Sequence, residues 1–132
     1  MKLYPGALVV GTSLGGFFAA WLGAEFGRPF VAINPAIAPG KTLRAYIGHG
    51  VNHLGKPFEL TEDCVRAYDS LAFRMDGQGT IILDLGDELL ESRATLDFVR
   101  GSLPAFVFEG GSHRFDHMAE LIQRRPDLFR NK

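Results

Sequence analysis

The 132-residue sequence contains a single cysteine, Cys64, and this scarcity limits the chemistry that the chain can support. One cysteine excludes an internal disulfide, and it also excludes a cysteine-rich metal site. Such sparing use of cysteine is typical of proteins in reducing compartments. We therefore expect a cytoplasmic protein whose fold depends on its apolar core and not on covalent cross-links.

The sequence also lacks long hydrophobic runs and an excess of either charge. No apolar run approaches the roughly 20 residues that a membrane helix needs, and the opening MKLYPG does not have the pattern of a signal peptide. Fourteen basic residues against fifteen acidic residues leave a net charge of −1. No basic stripe indicates nucleic acid or an anionic membrane surface. We expect a small-molecule substrate, no nucleic-acid partner and no membrane.

What the sequence does contain is a regular alternation of strand and helix patterns. Short apolar runs predict buried strands at 7–10, 30–35, 79–86 and 104–111, and apolar periodicity predicts helices at 15–27, 61–73, 91–101 and 115–125. Residues 36–60 are rich in glycine and proline, and we expect loops there with one short helix near 41–47. This order predicts a single α/β domain over residues 1–132, a three-layer structure in which helices flank a mainly parallel sheet of about four strands.

A glycine-rich corner follows the first predicted strand. Gly11-Thr12-Ser13-Leu14-Gly15 has the G-x-S-x-G pattern of a nucleophile elbow, in which a strained turn presents the serine between a strand and a helix. The positions two before and two after the serine crowd each other, so glycine is expected at both. The alternatives are an ordinary turn capped by Ser13 and a phosphate-binding turn, although no Lys-Ser/Thr pair follows as in a P-loop. The strand before and the helix after favour the elbow.

Candidate partners for Ser13 follow the third and fourth predicted strands. Asp87, in GDE, can accept a hydrogen bond from a histidine and fix its tautomer. Asp84, inside the strand, and Glu88 are rival acids. His113 follows a flexible Gly-Gly-Ser loop that could bring its imidazole over the sheet edge. Because the carboxyl ends of parallel strands face the ligand site, we expect the side chains at 13, 87 and 113 to converge there.

The other three histidines are weaker candidates. His117 is expected inside the last helix. His49 and His53, in HGVNH, could suggest a metal pair, but no carboxylate stands at ligand spacing. We therefore expect no metal and no cofactor.

The chain order of Ser13, Asp87 and His113 is that of the α/β-hydrolase superfamily, which the sequence resembles. More closely, it resembles the YqiA-like small bacterial esterases. The resemblance rests on GTSLGGFFAAWLGAEFG, AINPAIAPGKTLRAYIG, LDLGDELLESRAT and FEGGSHRFDHM. It implies that Ser13 is the nucleophile, His113 the general base and Asp87 its orienting acid. It also implies hydrolysis of carboxylic esters or acyl thioesters through an acyl-enzyme. Residues 36–57 are expected to shape the acyl pocket, with Tyr46, Phe58 and Phe115 as candidate lining residues, although ordinary packing is the more frequent role of such side chains.

The sequence departs from the resemblance at its start. Members of the esterase family that the sequence resembles carry a further N-terminal third, whose His-Gly loop supplies one oxyanion N–H, and no such motif precedes Ser13. The N–H of Leu14 is the expected first donor, and the second has no evident source. The alternative function is therefore a hydrolase-like binding or interaction module with impaired catalysis.

The first strand would also be an exposed apolar edge. The sequence belongs to a longer protein, or its first seven residues cover this edge, or copies of the chain associate through it. We expect a homo-oligomer, which light scattering at micromolar concentration can test.

Overall fold

The computed structural model describes residues 7–44, 47–51 and 54–129. The strands within these residues are β1 (Val9–Thr12), β2 (Phe30–Ile33), β3 (Gly48–Val51), β4 (Pro57–Leu60), β5 (Gly79–Asp84) and β6 (Ala105–Phe108). The helices are α1 (Leu14–Phe26), α2 (Pro39–Leu43), α3 (Glu62–Asp69), α4 (Ser92–Val99) and α5 (Met118–Arg124), and a 3₁₀ turn (Pro126–Phe129) follows α5. The chain divides into two compact units, one of residues 1–36 with 73–132 and one of residues 37–72.

The first unit is built on a parallel sheet of four strands in the order β1-β2-β5-β6. The register places Thr12 beside Ile33, Ile33 beside Ile82, and Asp84 beside Phe108. Parallel strands in this register end at the same edge, so the residues that follow β1, β2, β5 and β6 come together there. The predicted parallel sheet of about four strands is confirmed.

The two inner strands explain why the sequence reads as continuous apolar runs. All four residues of β2 and the last five of β5 are buried, as expected for strands covered on both faces. One core cluster consists of Val31, Ile33, Ile82, Phe108, Phe115 and Leu121. Each such side chain contributes about 1.5–3 kcal/mol by leaving water. Phe115 therefore packs in the core, with its ring 5.7 Å from that of Phe108.

Two of the predicted helix boundaries are confirmed by their caps. Gly27 follows α1 in the left-handed region at φ 65°, and its N–H donates to the carbonyl of Gly23, as in a common helix C-cap. The hydroxyl of Thr61 accepts from the N–H of Cys64 at 3.2 Å at the start of α3, which satisfies one of the free donors of the first turn.

The second unit contains a β-hairpin that the sequence did not predict. Strands β3 and β4 pair antiparallel with Gly50 opposite Phe58, whereas residues 36–60 were expected to be loops and one short helix. That helix exists as α2. The hairpin has a weak pattern because β3 contains two glycines and β4 begins with proline. The Phe58 ring lies over Gly50, and a Cβ there would come within 2.6 Å of the far end of that ring. Phe58 is 48% exposed, and Tyr46 lies outside the described residues.

Strand β1 forms one end of the parallel sheet. Among the described residues it pairs only with β2, and Val10 is 47% exposed. The expectation that the first seven residues cover this edge falls mostly outside the described residues. Over the ranges 7–44, 47–51 and 54–129, no helix combines the length and the hydropathy required to cross a bilayer.

Candidate active site

Ser13 occupies the turn between β1 and α1 in a backbone conformation that is rare for any residue except glycine. Its φ is 57° and its ψ is −123°. The backbone around it is held on both sides: the Ser13 N–H donates to the Ile33 carbonyl at 3.0 Å, and the Ser13 carbonyl accepts from Gly16 at 3.0 Å and from Ala36 at 2.9 Å. Such over-determined hydrogen bonding maintains a strained residue at a functional turn.

The glycines around Ser13 permit this turn, but not in the way that the sequence pattern suggests. A Cβ at Gly11 would lie 2.0 Å from the carbonyl oxygen of Gly15, so Gly11 is required. The two positions therefore crowd each other as expected, but the crowding restricts only Gly11, because a Cβ at Gly15 would meet nothing within 4 Å. The second restricted position is Gly16, whose Cβ would lie 2.9 Å from Pro35. The motif therefore reflects the close approach of the Gly15 backbone to Gly11.

The side chains of Ser13, His113 and Asp87 form one continuous hydrogen-bonded chain. His113 Nε2 lies 2.7 Å from Ser13 Oγ, and His113 Nδ1 lies 2.9 Å from Asp87 Oδ2. The Asp87 side chain is 1% exposed and that of His113 is 16% exposed. The other oxygen of Asp87 accepts from the N–H groups of Leu89 and Leu90 at 2.9 and 3.0 Å. The three residues named from the sequence thus meet at one edge of the sheet.

The rival acids lie close to this chain but contact other groups. The Glu88 carboxylate accepts from the backbone N–H of His113 at 3.0 Å. This hydrogen bond lowers the pKa of Glu88, because it stabilises the charged form. Asp84 is fully buried and lies 2.6 Å from His117 Nδ1.

The expectation that His117 lies inside the last helix is wrong. It immediately precedes α5, which begins at Met118. The chain between β6 and α5 stays irregular because the N–H groups of Ser112 and Asp116 donate to the Asp84 side chain. The hydrogen bond between His117 and Asp84 is the main cause that raises the pKa of His117, and the nearby carboxylates raise it further.

One residue of the site escaped the sequence reasoning. Asn34 follows β2 with φ 44°, and its amide nitrogen lies 3.1 Å from the Ser112 carbonyl and 3.3 Å from that of His113. Its amide oxygen accepts from the Asp84 N–H at 2.9 Å. Asn34 thereby ties the His113 loop to the sheet. Its signal was an asparagine directly after a strand, a residue type that tolerates positive φ.

Leu14 begins α1 directly after the serine. The first N–H groups of a helix have no acceptor within it, and the helix dipole favours negative charge at this end. The backbone N–H of Leu14 is one of these first N–H groups and lies directly after Ser13 in the chain. No group of three or more histidine, cysteine or carboxylate side chains suited to a metal occurs within the described part of the chain. His49 is exposed on β3, and His53 lies outside the described residues, so the suggestion of a metal pair is untested.

Two solved structures share this architecture. Est1E from Butyrivibrio proteoclasticus superposes with a TM-score of 0.61 at 18% identity, covering 87% of this chain and 56% of that protein. The esterase domain of a Rhodothermus marinus protein gives a TM-score of 0.59 at 16% identity, covering 86% of this chain and 55% of that one. At such identity the likeness establishes the fold alone, which is the partial α/β-hydrolase fold that the sequence predicted.

Relatives detected by sequence are longer than this chain. A UPF0227 protein of Shewanella sp. strain MR-7 is 25% identical over 120 residues, which cover 91% of this chain and 63% of that protein. The chain thus spans somewhat less than two thirds of that relative. The model of the uncharacterised protein family UPF0227 matches residues 2–130, and the chain therefore belongs to that family.

Proposed function

We propose that this chain carries the catalytic centre of a serine hydrolase that cleaves carboxylic esters or acyl thioesters. The observation that carries the proposal is the hydrogen-bonded chain from Ser13 Oγ through the His113 ring to the buried Asp87 carboxylate. The distances of 2.7 and 2.9 Å lie within the reach that proton transfer requires. The esterase names of the structural neighbours support the same reaction class.

In the first half of the reaction, Ser13 Oγ attacks the acyl carbon while its proton passes to His113 Nε2. The carbonyl oxygen becomes an oxyanion that accepts a hydrogen bond from the Leu14 N–H. Asp87 accepts from Nδ1–H, which fixes the tautomer with a free Nε2 and then stabilises the imidazolium. The imidazolium gives its proton to the leaving alkoxide or thiolate, and an acyl-serine remains.

In the second half, water replaces the leaving group. His113 Nε2 takes a proton from the water as its oxygen attacks the acyl-serine. The second oxyanion collapses, the bond to Ser13 Oγ breaks, and Oγ recovers the proton from His113. The carboxylic acid leaves and the site is restored. The proposed cycle uses the side chains of this chain and requires no cofactor or metal.

The number of oxyanion donors bears on whether the chain is a hydrolase or a hydrolase-like binding module. Leu14 supplies one donor, and we assign no second donor among the described residues. Loss of one such donor costs about 10²–10³-fold in rate. A hydrolase-like binding module would keep the serine turn but would not activate the nucleophile, so the two functions differ in the reactivity of Ser13.

A fluorophosphonate probe measures that reactivity directly. We expect covalent labelling of the peptide that carries Ser13, detected by mass spectrometry. The matched control is Ser102→Ala, at an exposed serine after α4, and it should label like the wild type. An unlabelled wild type at millimolar probe would refute the activated serine and favour the binding module. If the wild type labels, fresh protein that has not met the probe should then be compared on aryl esters and acyl thioesters to fix the substrate class.

We further propose that copies of the chain associate through the β1 edge. Strand β1 ends the described sheet, and Val10 is half-exposed on it. An unpaired apolar edge favours pairing with another strand. Light scattering at micromolar concentration should give about twice the monomer mass or more. Val10→Lys should shift the mass toward the monomer, because a charged edge opposes pairing, and a wild-type monomer would contradict the proposal.

A further inference from the structure

A second aspartate–histidine pair lies beside the first, and it grips the loop that carries His113. The Asp84 carboxylate is fully buried at the carboxyl end of β5. Its Oδ2 accepts from the N–H of Ser112 at 3.2 Å and from the N–H of Asp116 at 2.9 Å. Those two donors flank His113 in the chain. One buried oxygen thus fixes the backbone on both sides of the histidine.

Gly111 is adapted to this buried carboxylate. A Cβ at Gly111 would lie 1.9 Å from Asp84 Oδ2, and its φ is 76°. Both features restrict the position to glycine. The Gly-Gly-Ser sequence before His113 therefore has a second purpose besides flexibility: it lets the Asp84 carboxylate reach the loop.

His117 completes the arrangement. Its Nδ1 lies 2.6 Å from Asp84 Oδ1, and its ring stacks on Phe108 with centroids 4.8 Å apart. The side chain is 19% exposed, so its far side meets solvent. Asp84 consequently contacts the loop at three groups, which are the N–H of Ser112, the N–H of Asp116 and the ring of His117. These contacts hold the loop on both sides of His113.

Several charged side chains surround the pair of Asp84 and His117. A buried carboxylate needs hydrogen bonds and a compensating charge. In the described structure, the side chain paired with the Asp84 carboxylate is that of His117, which compensates the charge when it is protonated. The carboxylates of Asp116 and Glu120 also raise the pKa of His117. The Arg124 guanidinium lies 5.8 Å from the centre of the Phe108 ring.

We propose that Asp84 and His117 are positioning residues, which hold the 112–117 loop so that His113 reaches Ser13. The protonated His117 ring neutralises the buried Asp84 carboxylate and donates to it. The other carboxylate oxygen of Asp84 accepts the two loop N–H groups. The catalytic consequence rests on the proposed function, whereas the grip on the loop does not.

The grip should depend on pH. Because Asp84 raises the pKa of His117 above its ordinary value near 6.5, the stabilisation is fully present below that ordinary value. It is lost as the pH rises through the folded-state pKa. The loop should therefore loosen on the alkaline side. His117→Asn keeps a donor near the position of Nδ1 but cannot titrate, so in this variant the dependence should disappear.

Amide hydrogen exchange resolved by NMR tests the grip without any substrate. In His117→Ala we expect the protection factors of the Ser112 and Asp116 amides to fall by roughly ten- to a hundredfold, since a charged hydrogen bond is lost. His117→Asn should retain most of the protection at neutral pH. The matched control is His49→Ala, at the exposed histidine on β3. Protection in His117→Ala within twofold of this control would overturn the proposal.

If His117→Ala does not fold, the decision passes to His117→Asn. In His117→Asn the amides of Ser112 and Asp116 should keep constant protection factors from neutral to alkaline pH, while in the wild type these protection factors fall. An equal fall in both proteins would overturn the proposal.

The rate of Ser13 labelling by a fluorophosphonate supplies the catalytic readout. It should fall about tenfold to a hundredfold in His117→Ala, because a misplaced base acts poorly, and recover in His117→Asn. A labelling rate in His117→Ala equal to the control would remove the catalytic consequence. An inert wild type with the expected exchange pattern would refute the serine hydrolase and leave the grip on the loop intact.

Discussion

Replacing Ser13 with alanine should lower kcat for ester hydrolysis by at least about 10³-fold, to the background rate of the assay. The expected loss is large because Oγ is the atom that forms the covalent bond. The Ser112 hydroxyl is engaged with Asp116 at 3.0 Å. Initial rates on an aryl ester and the loss of fluorophosphonate labelling measure the effect.

The same substitution should leave the fold intact. The recorded side-chain hydrogen bond of Ser13 is the one to His113, and its loss should cost about 1 kcal/mol, a few degrees in thermal unfolding. The strained backbone is held by main-chain hydrogen bonds that alanine also makes. Ser102→Ala should match the wild type in rate and stability. Undiminished hydrolysis in Ser13→Ala would assign the chemistry to another residue.

The residues of the candidate site could be named from the sequence because each is marked locally. Ser13 stands in a five-residue motif, and Asp87 and His113 each follow an apolar strand. The parallel register places all three at one edge of the sheet, since such strands end together. The fold was predictable for the same reason: β2 and β5 are buried on both faces and show continuous apolar runs.

What the sequence concealed depends on contacts between distant residues. The hairpin of β3 and β4 has a weak strand pattern, because β3 contains two glycines and β4 begins with proline. The pairing of Asp84 with His117 spans 33 residues. Taken alone, each of these two residues is a weaker candidate than Asp87 or His113, and only the three-dimensional structure shows that they are partners. The start of α5 differs from the prediction for the same reason, because the Asp84 hydrogen bonds keep the chain before Met118 out of the helix.

Replacing Asp87 with asparagine should reduce kcat by about 10⁴-fold while preserving the geometry of the site. The reason lies in the two main-chain donors on Asp87 Oδ1. Because Leu89 and Leu90 point their N–H groups at that oxygen, an asparagine would place its carbonyl there and turn its NH₂ toward His113. A donor facing Nδ1 makes Nδ1 an acceptor and puts the ring proton on Nε2. That tautomer cannot take the proton from Ser13.

The rival acid and an exposed acid provide the comparison. Glu88→Gln should change kcat only a few-fold, because a glutamine oxygen can still accept from the His113 N–H, and Asp97→Asn, at a side chain 75% exposed on α4, should change nothing. NMR of ¹⁵N-labelled histidine should report a protonated Nδ1 in the wild type and a protonated Nε2 in Asp87→Asn. If Glu88→Gln proved the more damaging variant, or if Asp87→Asn kept the wild-type tautomer and rate, Asp87 would not be the orienting acid.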